Sequence, residues 1–316
     1  MIVVAGEALV DLIPTPAGDL GIHPGGGPFN TARWLGRLGA EVGFLGALAA
    51  DPLGQRLREQ LVAAGVALDL LVATRLPTTL ALAQLDCDGA ARYSFYTSET
   101  SIPDVWPEQV AELLPPELDA LYLGSIGLML EPAATSGLRA VELARQRGAP
   151  VMVDPNIRAA LIADRAVYLA RLEAVLAQTD VLKLSVDDLA WLAPGGPLQT
   201  AARRWLDHGP QAVLLTAGAD GATVLTASDV VPIPPVAVEV VDTIGAGDAF
   251  SAGFLWHWLL RGKQNAPTGG KTLPASDALT AELVDSATFA ARVAAIACSV
   301  QGAAPPADIG ALLDAR

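Results

Sequence analysis

Short apolar runs recur along this chain, each followed by a longer amphipathic stretch, and that alternation limits how it can fold more than any other feature. Strands are predicted at 2–5, 42–45, 120–123, 151–154, 181–184 and 212–216, with helices at 28–38 and 53–64 and further helical segments between the later strands. Strands separated by helices cannot form tight hairpins. They pair in parallel, and a parallel sheet needs helices over both faces, so the expected class is α/β with a central, mostly parallel sheet. In such sheets ligands bind beyond the carboxyl ends of the strands. Two interruptions stand out. Residues 79–85 and 91–96 are β-rich runs joined by Asp86-Cys87-Asp88-Gly89, and Asp-Gly between alternating strands signals a hairpin. A second hairpin is expected across 222–225 and 229–233, followed by two long helices at 247–261 and 278–300. With no repeat and no linker in view, the hairpin near 75–98 reads as a small lid inserted into one unit spanning 1–316.

Composition narrows the function. Hydrophobic residues make up 52% of the 316 and charged residues 17%, which suits a packed core and excludes a disordered chain. Acidic residues outnumber basic ones 34 to 20, and the net charge of −14 repels a phosphate backbone, so nucleic acid is not an expected partner. The mean hydropathy of +0.41 raises the question of a membrane. Uncharged apolar runs such as 120–130 and 249–260 are too short to span one. The start, Met-Ile-Val-Val-Ala-Gly-Glu, has no basic n-region and no small-residue cleavage site, and the cytoplasm is the expected location. Cys87 and Cys298 lie far apart with no partner at metal spacing, so both are expected as buried thiols.

Chemistry concentrates in two glycine-rich stretches. In Val241-Asp242-Thr243-Ile244-Gly245-Ala246-Gly247-Asp248, a small-residue turn runs straight into an apolar helix. Backbone N–H groups at Gly245, Ala246 and Gly247 would converge at the positive end of that helix and hold an anion. Asp248 sits inside the same end, either as a helix-dipole partner or as a base aimed at whatever the N–H groups hold. The second stretch, His23-Pro24-Gly25-Gly26-Gly27-Pro28-Phe29-Asn30, also opens a helix. Its glycines let the backbone approach a hydroxylated ligand, and Asn30 offers a donor and an acceptor. Other patterns fail on inspection. Residues 265–272 approach a Walker A loop but begin with Asn265 in place of glycine, and Gly25-x-Gly27-x-x-Asn30 lacks the third glycine of a dinucleotide fingerprint. His23, His208 and His257 share no catalytic spacing, and His257 between two tryptophans reads as a packed side chain.

In this order and more than two hundred residues apart, the two stretches resemble the paired signatures of the PfkB family of carbohydrate kinases, which includes ribokinase, fructokinase and adenosine kinase. The resemblance covers essentially the whole chain. It implies a ribokinase-like α/β fold, with the lid built from about 75–98 and part of about 12–24, and transfer of the γ-phosphoryl group of ATP to a sugar hydroxyl. It makes Asp248 the base and Gly245, Ala246 and Gly247 the anion hole. Asp11, expected at the end of the first strand, matches the carboxylate that grips sugar hydroxyls beside Gly26, Gly27 and Asn30; read alone it is a turn acid before Pro14. Thr216, Gly218 and Gly221 match the segment along the nucleotide phosphates and ribose. Lys183-Leu184-Ser185-Val186-Asp187-Asp188 stands in place of the family's Asn-x-x-Glu, so Lys183 and Ser185 fall to the nucleotide and Asp188, with shorter reach, to Mg²⁺ through water. Residues 297–303 resemble the loop that, with Asp242 and Ile244, surrounds a monovalent cation such as K⁺ through backbone oxygens, here those of Ala297, Val300 and Gly302. The resemblance also allows a homodimer through the lid.

Among family members, Gly6-Glu7-Ala8-Leu9-Val10-Asp11, the segment from Tyr93 and Asp154-Pro155-Asn156-Ile157-Arg158 are most similar to fructokinases. A kinase for 2-keto-3-deoxygluconate is the alternative, because Arg158 could bind a sugar carboxylate. The segment 93–104 carries Glu99 and Asp104 and no Lys or Arg, which favours a neutral ketose such as D-fructose. A sugar or nucleotide sensor on the same fold is the reading from another class. Its sign would be loss of the carboxylate at 248, which is present.

Overall fold

The computed structural model describes residues 1–15, 18–85, 91–265 and 276–314. Its strands are β1 (Ile2–Ala5), β2 (Leu9–Pro14), β3 (Leu20–Gly25), β4 (Val42–Ala49), β5 (Leu71–Thr74), β6 (Leu80–Leu85), β7 (Ala91–Tyr96), β8 (Ala120–Gly124), β9 (Val151–Asp154), β10 (Val181–Ser185), β11 (Ala212–Thr216), β12 (Ala222–Thr226) and β13 (Val230–Ile233). Nine form one sheet in the order β13-β12-β11-β10-β9-β8-β1-β4-β5. From β5 to β11 every pair is parallel, and β12 and β13 close that edge as antiparallel strands.

The sheet is buried on both faces, as its continuous apolar strands require; all eight residues of β4 are buried. Side chains alternate across it. Val4, Phe44 and Tyr122 point toward helices Gly27–Arg37, Pro52–Ala63, Ala246–Asn265 and Ser276–Cys298, where Phe29, Trp34 and Phe254 complete one core layer. Val3, Leu45 and Leu121 point the other way, toward helices Ala133–Gln146 and Arg165–Leu176 with Val141, Tyr168 and Leu172. The helix at 52–63 starts where Asp51 accepts from the Gly54 amide at 2.7 Å, and the same carboxylate accepts from the amide and hydroxyl of Thr78, tying helix to lid.

The lid is a separate four-stranded sheet, β3-β2-β6-β7. Residues paired across strands share a face. Asp11, Ala81 and Phe95 lie on one, toward the cleft, and Leu12, Ile22 and Leu82 on the other. Here the structure departs from the sequence reading: Asp11 is not at the end of the first strand but within β2, a lid strand. Gly6 is the reason. At φ 146 it ends β1 at Ala5, with Pro28 packed where a side chain would stand, and the chain leaves the main sheet for the lid. The short strand β5 and the helix Pro107–Leu113 also had no clear pattern in the sequence. The Asp86–Gly89 turn, Cys87 and the Walker-like residues 266–272 lie outside the described residues.

Candidate active site

The strands of the main sheet end together, and the residues that follow them face one cleft. Across it the helix Ala246–Asn265 presents its N-terminus, reached through Gly245 at φ 78, a conformation that glycine adopts without strain; Ala303 packs where its side chain would be. The Ala246 amide turns back to the Thr243 carbonyl at 3.3 Å. Asp248 lies in the first helical turn and is 8% exposed. Its Oδ2 accepts from Asn30 Nδ2 at 2.9 Å, which joins the two glycine-rich stretches. Burial pushes the Asp248 carboxyl up to about 7; the Asn30 bond and the Lys183 and Arg158 charges oppose the rise, and Asp154 adds to it. A carboxylate poised there is a base matched to neutral pH.

Opposite Asp248 lies a wall of glycines and carboxylates. Gly26 caps the helix Gly27–Arg37 at φ 111, with no room for a side chain against the Glu7 backbone. Gly25 has the Asp11 carboxylate where its own side chain would stand. The Gly27 amide donates to Glu7 Oε1 at 3.1 Å, while Glu7 Oε2 is buried without a hydrogen-bond partner. Burial raises Glu7, and raises Asp11 to about 6, with the Arg158 guanidinium pulling both back. Tyr93, stacked on Phe95 with ring centroids 6.2 Å apart, reaches in from the lid, its hydroxyl raised by burial and by the Asp11 charge.

Further along the sheet, Ser185 and Thr216 end β10 and β11 side by side, and Gly218 and Gly221 shape the turn beyond at φ 55 and 85. Lys183 Nζ donates to Asp154 Oδ2 at 2.7 Å, both side chains being buried, and lies 3.7 Å from where a Gly247 side chain would begin. Asp188 is committed locally. Its Oδ2 accepts from the Ser185 amide and hydroxyl and its Oδ1 from the Ile157 amide at 2.6 Å, while Ser185 Oγ caps the helix Val186–Leu192. Asp242 accepts from the amides of Ile244 and Gly302, holding the glycine turn against the loop after helix Ser276–Cys298. No three His, Cys, Asp or Glu side chains among the described residues converge as a metal cage. Asp154 Oδ1, at the carboxyl end of β9, is buried without a hydrogen-bond partner.

The signature of the pfkB family carbohydrate kinases matches residues 1–309. The chain belongs to that family. The kinase is 37% identical over 260 residues to a fructokinase of Rhizobium leguminosarum bv. trifolii, covering 81% of this chain and 78% of that protein. It is 31% identical over 256 residues to an aminoimidazole riboside kinase of Salmonella typhimurium, covering 80% and 79%. Among solved structures, a fructokinase with bound ATP from Xylella fastidiosa aligns at TM-score 0.85 and 28% identity over 99% of this chain and 98% of that one. The Salmonella enterica aminoimidazole riboside kinase, complexed with its riboside and an ATP analog, aligns at 0.84 and 27% over the same shares. This is an ATP-dependent carbohydrate kinase.

Asp248, Asp11, Gly26, Gly27, Asn30 and Arg158, singled out from sequence, surround one side of the kinase's cleft. Glu7, Tyr122, Asp154 and Ser251 are among the polar groups to which the sequence reading gave no role. Tyr122 and Ser251 hydroxyls donate to Asp154 Oδ2 at 3.2 and 3.1 Å, alongside Lys183. Glu7 and Asp154 carried a usable signal, since each is an acid at the carboxyl end of a parallel strand. Cys298 is half-buried, not fully enclosed, and His257 packs on Phe289 with Nδ1 3.1 Å from Ser286 Oγ. No helix among the described residues is long and apolar enough to cross a membrane.

Proposed function

We propose that this kinase phosphorylates a neutral ketose, D-fructose in preference to 2-keto-3-deoxygluconate, in the cytoplasm. The observation that carries the reading is the company Arg158 keeps. Its charge acts on Glu7, Asp11, Tyr93 and Asp248, and its Nη1 donates to Asn156 Oδ1 at 2.7 Å. A sugar carboxylate would enter a site whose acids already outnumber its guanidinium, whereas hydroxyls would find acceptors ready. The fructokinase relatives support the same choice. Asp11 accepts hydrogen bonds from the sugar. Asp248 takes the proton of the reacting hydroxyl as its oxygen bonds to the γ-phosphorus and the bond to the β,γ-bridging oxygen breaks, and ADP leaves. The N–H groups of Gly245 and Gly247 meet the charge on the transferring phosphoryl, and that of Ala246 joins them on leaving the Thr243 carbonyl. Lys183, Ser185, Thr216, Gly218 and Gly221 line the nucleotide, and Asp188, both of whose oxygens are engaged by Ser185 and Ile157, would reach Mg²⁺ only through water. Mg²⁺ bound with ATP neutralises phosphate oxygens. Backbone oxygens of Asp242, Ile244, Ala297, Val300 and Gly302 would hold K⁺, the Asp242 carboxylate being engaged in holding that loop together.

The test is a panel of fructose, other neutral sugars, ribosides and the keto-acid, assayed with MgATP in K⁺ and in tetramethylammonium buffer. Fructose should give the highest kcat/KM and K⁺ the faster rate; a higher kcat/KM for the keto-acid, or indifference to the cation, would reverse the corresponding assignment. In the same assay Asp11→Ala should raise the sugar KM with little effect on that of ATP, through loss of charge-assisted hydrogen bonds of roughly 1.5–3 kcal/mol.

The outer face of the lid supports a homodimer. Leu20 and Ile22 are 51% and 42% exposed there, and Tyr96, 56% exposed, lies on the same face beside Leu80. Sedimentation should give twice the chain mass, and Ile22→Asp should halve it; a monomeric wild type rules this assembly out.

A further inference from the structure

Gly27 does more than let the chain turn. A side chain there would begin 3.0 Å from Asn156 Nδ2, 3.3 Å from Asp248 Oδ1 and 3.8 Å from Glu7 Oε1, so its absence leaves a recess bounded by one donor and two acceptors. Two of these groups are tied at one end only. Asn30 holds Asp248 by Oδ2, leaving Oδ1 toward the recess. Arg158 Nη1 holds Asn156 by Oδ1 at 2.7 Å, which fixes the amide so that Nδ2 faces the same recess. Among the described residues neither free end has a hydrogen-bond partner.

The backbone beneath is constrained. Asn156 sits at φ 40 and Ser125 at φ 55, both left-handed without being glycine, at the ends of adjacent strands β9 and β8. Ser125 Oγ lies 3.5 Å from the Asn156 carbonyl, and Asp188 holds the following amide, that of Ile157, at 2.6 Å. Strain of this kind persists where the surroundings enforce it, and it gathers at functional sites. Asp188 is thereby a positioning residue for the loop that carries Asn156 and Arg158.

We propose that Asn156 is a further catalytic residue: its amide donates a hydrogen bond to the reacting sugar hydroxyl in the recess over Gly27 while Asp248 accepts that hydroxyl's proton. A hydroxyl oxygen has two lone pairs. With one engaged by Asn156 and the proton directed at Asp248, the other is left for the phosphorus held at the Gly245–Gly247 turn, and the nucleophile is aimed as well as deprotonated. Glu7, bonded to the Gly27 amide, fixes the floor of the recess and is a positioning residue.

The inference rests on the sugar-kinase chemistry above but not on which sugar is used, so it is tested on the best substrate of the panel. Asn156→Asp keeps an oxygen for Arg158 and tolerates the left-handed backbone, yet presents an acceptor where the donor was. Asn156→Gly removes the side chain and suits φ 40. In both, kcat should fall on the order of 10²-fold through misdirection of the nucleophile, with the KM for ATP unchanged. If Asn156 served only to hold Arg158, Asn156→Asp would turn over normally and Asn156→Gly alone would be impaired, and that pattern overturns the assignment. Should Asn156→Asp not fold, a near-wild-type kcat in Asn156→Gly overturns it equally. A wrong choice of sugar shows in the wild-type panel and leaves the variant ratios meaningful.

Discussion

Asp248→Asn is expected to lose at least about 10²-fold in kcat and, at the same time, to unfold at a higher temperature than the wild type. The loss follows from the chemistry: a sugar hydroxyl is a poor nucleophile at neutral pH, and an amide cannot accept its proton. The gain follows from burial. In the folded protein the Asp248 carboxyl is raised from 3.8 to about 7, so the native state binds that proton more tightly than the unfolded chain does. The stability so contributed is full below about pH 4 and is lost as pH rises through about 7. Above that, ionised Asp248 costs up to about 4 kcal/mol, which asparagine avoids while keeping an oxygen for Asn30. Wild-type turnover should correspondingly fall on the acid side of about pH 7 as the base protonates. Were Asp248 only a helix-dipole partner, Asp248→Asn would turn over normally and lose roughly 0.3–1 kcal/mol of stability. Rate and melting temperature thus move in opposite directions in one reading and not in the other. A folded variant with wild-type kcat would sink the mechanism and restore the sensor reading.

What the sequence disclosed and what it withheld divide along physical lines. Parallel strands announced themselves because both faces are buried and their apolar runs are continuous, as in Ala212–Thr216. The glycine turns were legible because few residues other than glycine tolerate Gly26 at φ 111 or Gly245 at φ 78, and a turn that opens a helix has a short list of uses. Asp11 was read as a residue of the site but misplaced in the fold, since the break at Gly6 depends on Pro28 packing against it from another element. Glu7 and Asp154 were passed over for a related reason. An acid after a strand resembles a turn acid until tertiary structure shows its burial, 2% and 1% exposed, and names its partners. Asp188 reads as a metal-side carboxylate by position, and only the contact with the Ile157 amide reveals that it braces the loop of Asn156. Local pattern carried the elements; the polar network exists only once distant segments meet.

That network gives the second large effect. Lys183→Met should destabilise the kinase by about 3–5 kcal/mol, because it strands Asp154, 1% exposed, without its cation. Burial alone would lower the Lys183 ammonium; the Asp154 charge and hydrogen bond outweigh that and hold it above its usual value, so the pair is mutually dependent. Tyr122 and Ser251 still donate to Asp154, but a hydroxyl does not neutralise a carboxylate. Replacing the whole pair is a different matter. A buried ion pair exchanged for apolar side chains of similar size is often neutral or stabilising, so Lys183→Met combined with Asp154→Leu should recover much of the stability lost by the single variant. Activity should not return with it. Lys183 approaches the glycine turn through the open side of Gly247, the turn proposed to hold the ATP phosphates, and Asp154 and Lys183 both act on the Asp248 carboxyl. Denaturant unfolding and steady-state kinetics on the single and double variants separate the two roles. A stable, fully active double variant would mean the pair is mere packing, whereas a stable and slow one places it in the service of the site.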